Sequence, residues 1–136
     1  MNVALLPRCR VLMPELAVHD GRAAVAFYRA AFGAVVERQV GGTDEHPELV
    51  ARLSVGGAPF WVHDESPEHG LSSPQRLGGA STRMLLVVAE PDTAVARAVA
   101  AGATCAAEVY EAHGWRLGRV VDPFGHHWEI GRPLSE

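Results

Sequence analysis

Two side chains near the C-terminus have the type and spacing to do chemistry. His127 and Glu129 stand two apart in the run Asp122-Pro-Phe-Gly-His-His-Trp-Glu-Ile130. Residues two apart on an extended strand project to the same side, so an imidazole and a carboxylate would meet one space. Such a pair can serve as acid and base toward a substrate, or as two ligands of a divalent ion. The plainer reading is that Glu129 is neutralised by Arg83, because a buried charge needs a partner, while His127 forms part of a pocket wall. Trp128 and Ile130 alternate with these two and must pack against something apolar, which is the task of a helix.

The elements that supply that helix occur twice. Leu16 to Ala34 reappears in degenerate form as Leu86 to Ala103, at an offset of 70 residues in a chain of 136. Each copy reads as an apolar strand, an acidic turn, an Ala-rich helix and a Gly-Ala stop. In the first copy a strand spans 11–18, Asp20 caps a helix over 22–32, and Gly33 ends it. Strands at 34–40, 48–55 and 59–63 follow, with Gly56-Gly57 as the hairpin turn. The second copy places a strand at 83–88, a helix from Pro91 to about Ala101, and strands at 104–109, 116–121 and 126–130. Trp61 and Trp128, 67 residues apart, fall at matching places in the two last strands.

The expected fold is therefore α+β, with two βαβββ units whose curved mixed sheets surround a concave cleft. A single domain over 1–136 divides into units at 10–65 and 82–134. The Ser-, Pro- and Gly-rich stretch 66–81 is a linker or a lid.

Composition excludes some functions. A net charge of −4 offers no basic face to nucleic acid. No apolar run approaches the roughly 20 residues of a membrane span, and the first residues do not read as a secretory leader. Cys9 and Cys105 are expected to be reduced thiols in a cytoplasmic protein. Trp115 with Arg116 and Arg119 would suit an anionic or aromatic ligand, since indole and guanidinium offer a flat surface and a charge.

Ala-Phe-Tyr28, Ala-Phe-Gly-Ala34, Ala-Ala-Gly-Ala103 and the run 122–130 together resemble the vicinal oxygen chelate superfamily of glyoxalase I, bleomycin-resistance proteins and extradiol dioxygenases. The likeness extends over residues 10–133. Phe60-Trp-Val-His-Asp-Glu-Ser-Pro67 and Ser73-Pro-Gln-Arg-Leu-Gly-Gly79 resemble its PhnB-like branch. The resemblance implies four metal-ligand positions, one on the first and one on the last strand of each unit. Carried over, these are Met13, Val62, Arg83 and Glu129.

A thioether, an alkyl group, a guanidinium and one carboxylate do not hold a divalent ion, so no metal or other cofactor is expected. A one-residue slip would exchange Val62 for Trp61 or His63. The reading is a binding protein of the resistance or sequestration type, with a small organic molecule as partner. Its pocket is lined by Met13, Phe60, Val62, Arg83, Trp115 and Arg116. The alternative is a lyase, isomerase or dioxygenase that uses His127 and Glu129 as relocated metal ligands or as an acid/base pair. The resemblance also implies a homodimer, in which 66–81 covers a neighbour's cleft.

Overall fold

The computed structural model describes residues 10–135. Its first unit comprises β1 (Glu15–Val18), α1 (Gly21–Phe32), β2 (Val35–Gly41), β3 (Leu49–Val55) and β4 (Ala58–Asp64). A 3-10 turn (Pro67–His69) and the short α2 (Pro74–Leu77) lead to the second unit. There β5 (Arg83–Val87), α3 (Pro91–Ala101), β6 (Thr104–Ala112), β7 (Trp115–Val121) and β8 (His127–Pro133) repeat the order. The sheets run β1-β4-β3-β2 and β5-β8-β7-β6. The first pair in each is parallel and the others antiparallel. This is the α+β pair of βαβββ units that the repeat predicts. No helix among the described residues is long and apolar enough to cross a membrane. Cys105 is exposed on β6, and Cys9 lies outside the described residues.

Local chemistry sets the helix ends. Asp20 accepts a hydrogen bond from the Ala23 amide at 3.1 Å, satisfying one of the first-turn donors. Gly33 takes φ of 68°, a left-handed conformation costly for any residue with a Cβ. Between these ends Ala24, Val25, Phe27, Tyr28 and Ala31 are buried.

The position of α1 decides the architecture. The Tyr28 ring lies 5.5 Å from Phe60 on β4 and 5.5 Å from Trp128 on β8. Phe32 is 4.7 Å from Trp128, and Phe60 is 5.8 Å from it. One helix thus touches the inward faces of both sheets, and one core spans the two units. Burying aromatic rings of this size contributes about 1.5–3 kcal/mol each. The opposite face of each sheet carries the residues that alternate with this core.

A buried carboxylate locks the units together. Asp122, 3% exposed, accepts hydrogen bonds from the Tyr28 hydroxyl, the Trp128 indole N–H and the amides of Phe124 and His126. Burial first, then the neighbouring Asp122 charge, pushes the Tyr28 phenol well above its ordinary range. Close packing of α3 needs Gly118 on β7. A Cβ there would meet the Val95 and Val109 methyls at 3.0 Å.

The strand register corrects the pairing of the two tryptophans. Phe60 and Val62 are buried at 5% and 0% exposure, so Trp61 and His63 lie on the outward face. Trp128 and Ile130 are the buried pair on β8. The helices start 70 residues apart, at Gly21 and Pro91. The parallel ladders oppose Glu15 to Trp61 and Leu85 to Glu129. The counterpart of Glu129 is therefore Trp61, and that of Trp128 is Phe60. Matching tryptophan to tryptophan slips the strand by one, and with a side-chain period of two that exchanges its faces.

Candidate functional site

The outward faces hold the chemistry. On the second sheet, Arg83, Leu85 and Val87 of β5 stand beside His127 and Glu129 of β8, then Arg119, Leu117 and Trp115 of β7. Tyr110 of β6, opposite Leu117, continues the row. Leu85, Val87 and Tyr110 are 52%, 55% and 51% exposed, respectively.

His127 and Glu129 share this face, as alternation requires, but each has its own partner. The Arg83 guanidinium lies 3.8 Å from the Glu129 carboxylate, an ion pair longer than a hydrogen bond. Arg119 Nη1 lies 2.9 Å from His127 Nδ1. A guanidinium only donates, so Nδ1 accepts and the ring proton resides on Nε2. Burial, followed by the charges of Arg119 and Arg83, holds His127 below its ordinary pKa. The imidazole is thus neutral near pH 7.

The outward face of the first sheet carries Trp61 and His63, with Glu15 opposite Trp61. His63 Nε2 is 3.0 Å from the Glu15 carboxylate. The buried nitrogen nonetheless has no hydrogen-bond partner among the described residues.

The remaining candidates divide sharply. Met13 is half-buried just ahead of β1. Phe60 and Val62 do not line an open face, because both point into the core for the register reason given above. Arg116 is also turned away. It lies on the helix side of β7, where it binds Asp92 of α3 at 2.6 Å and Glu111 at 3.2 Å. Its neighbour three residues on, Arg119, occupies the outward face instead. Alternation from Trp115 keeps Arg119 beside the indole and turns Arg116 to the other side, so the expected grouping of both arginines with Trp115 does not hold.

With the structural register, the implied ligand positions become Met13, Trp61, Arg83 and Glu129. Indole and guanidinium are not ligands, and Arg83 places a fixed charge where a cation would sit. Among the described residues no three His, Cys, Asp or Glu side chains are grouped to hold a metal. The residues present do not fit the metal of the fold family.

A separate cavity of about 320 Å³ lies between β1 and β5. Glu15, Leu16, Met84 and His126 line it with residues of the 66–81 segment. That segment is tied down by Glu65, which accepts hydrogen bonds from the Ser73 amide and the Arg76 guanidinium. Those bonds, that from Arg76 first, lower the Glu65 carboxyl to about 2.

Residues 14–131 match the sequence pattern of the Glyoxalase-like domain. The chain belongs to the glyoxalase-like family. An uncharacterised Mycobacterium bovis protein is 38% identical over 130 residues, covering 92% of this chain and 84% of its own length. The crystal structure of an Arabidopsis thaliana gene product superposes with a TM-score of 0.73 at 31% identity, over 92% of this chain and all of that one. TioX from Micromonospora superposes at 0.69 with 25% identity, over 93% of this chain and all of TioX. This glyoxalase-like chain thus shares the paired-unit architecture of the vicinal oxygen chelate superfamily.

Proposed function

We propose that this glyoxalase-like chain is a metal-free binding protein, which holds a small organic molecule against the outward faces of its sheets. The observation that carries the reading is the donor set at the four implied ligand positions, with Trp61 and Arg83 among them. Exposed Leu85, Val87 and Tyr110 beside a half-buried polar group resemble the composition of ligand sites, largely apolar with a few fixed polar groups. Leu85, Val87 and Tyr110 leave the outward face of the second sheet open in one chain. A homodimer in which each face meets its counterpart on a second copy supplies the missing wall. We assign the chain to the PhnB-like branch on its 60–67 and 73–79 runs, and to the cytoplasm on its composition.

Thermal-shift screening of small molecules with and without a chelator tests this reading. A ligand that stabilises equally in both conditions is the expected result; stabilisation that vanishes on chelation contradicts it. Sedimentation at micromolar concentration should give a dimer, and a monomer there removes the second wall.

A second reading, an enzyme of the lyase, isomerase or dioxygenase type, draws on the neutral His127. Its Nε2 proton, with Glu129 two residues on, would form the acid/base pair. Under that reading Glu129→Gln abolishes turnover of any substrate found; unchanged turnover rejects it.

A further inference from the structure

On the outward face of the second sheet, charge does not balance. Arg83 stands opposite His127 across the β5–β8 ladder, and Arg119 stands opposite Glu129 across β7–β8. The four side chains form one patch with two guanidiniums and a single carboxylate. Glu129 lies with Arg83, at 3.8 Å. Arg119 has no carboxylate within 4.0 Å among the described residues, and its one hydrogen-bond contact is the neutral His127 ring. Yet Arg119 is half-buried on a strand rather than free in solvent. A partly desolvated guanidinium normally acquires a counter-charge, and its planar fork suits carboxylate and phosphoryl groups.

We infer that Arg119 and His127 form an anion subsite, and that the molecule held on this face is an organic anion. The inference rests on the proposed reading of that face as a ligand platform. The donors are the unengaged N–H groups of Arg119, whose guanidinium His127 orients by accepting at Nδ1; Nε2–H leaves from the other side of that ring. Pairing of Arg83 with Glu129 removes the local negative charge that would otherwise repel the ligand. Leu117, next on the same face of β7, and Tyr110 opposite it offer an apolar bed for the rest of the molecule. The ligand class is a flat or apolar body ending in a carboxylate or phosphoryl group.

The test titrates the full chain with naphthoate and with naphthylmethanol, its neutral counterpart of the same shape. Naphthoate should bind roughly tenfold or more tightly than the alcohol, the worth of a charge-assisted hydrogen bond. That advantage should disappear in Arg119→Gln and recover in part in Arg119→Lys, while Arg22→Gln on α1, at the exposed pair with Asp44, keeps it. Melting curves establish that each variant is folded. Equal affinity for both probes overturns the anion subsite but leaves the platform standing. Binding of neither probe overturns the subsite together with the platform. If Arg119→Gln instead splits a dimer without changing probe affinity, the guanidinium serves the interface and the inference fails.

Discussion

The two βαβββ units share a core and differ in their open faces. Phe60 and Val62 in the first unit correspond to Trp128 and Ile130 in the second, and all four are buried. On the other side of the same strands, Trp61 corresponds to Glu129. The first sheet presents Glu15, Trp61 and His63; the second presents Arg83, Arg119, His127 and Glu129. Core positions are held by packing, which accepts only apolar groups of suitable size, whereas outward positions are free to vary in charge. The turns differ too. Gly56-Gly57 joins β3 to β4 in two residues, whereas the five residues from Asp122 to His126 join β7 to β8. Only the second turn contains a carboxylate that reaches the other unit.

That contrast can be tested from its strongest point downward. Asp122→Ala strands the Tyr28 hydroxyl, the Trp128 indole N–H and two amides, and should cost about 3 kcal/mol or more in chemical denaturation. Among the described residues Asp64 holds only the amides of Gly21 and Leu49, and Asp64→Ala should cost about 1–2 kcal/mol. Equal losses would remove the asymmetry between the units. Gly118→Val forces methyls against Val95 and should cost about 1–3 kcal/mol; a neutral result would mean that α3 can shift outward. Tyr28→Phe deletes one hydrogen bond and should lower stability by about 1 kcal/mol, with the ring packing intact.

The smallest effect concerns the 66–81 segment. Glu65 is held at about 2, below its ordinary 4.5. Its tie to Ser73 and Arg76 is therefore complete above about 4.5 and lost as pH falls toward 2. Glu65→Gln should speed amide exchange over 71–77 at neutral pH while leaving α1 unchanged. Protection that stays the same would show that the segment is held by other contacts.

Much of this was legible in the sequence. The repeat of Leu16–Ala34 fixed both helices, their caps and the order of strands, because Asp20, Gly33 and Gly102 mark boundaries by backbone chemistry. The sharing of one face by His127 and Glu129 followed from alternation alone. What alternation could not supply was the absolute register between units. That depends on turn length, and a slip of one residue brought Phe60 and Val62 to the wrong side. Alternation from Trp115 puts Arg116 on the helix side of β7, but that its partner there is Asp92, 24 residues away, has no signal in the sequence. The link from Tyr28 to Asp122 spans 94 residues and has no local signal. Its one hint was a phenol on the buried stripe of α1, which needs a polar partner.

The most direct test of the central claim is equilibrium dialysis of the dilute protein against micromolar manganese, with bound ion counted per chain. With Trp61 and Arg83 at two of the four ligand positions, no stoichiometric binding is expected, and Glu129→Gln should give the same result as the parent chain. One ion per chain, lost on that substitution, would contradict the account.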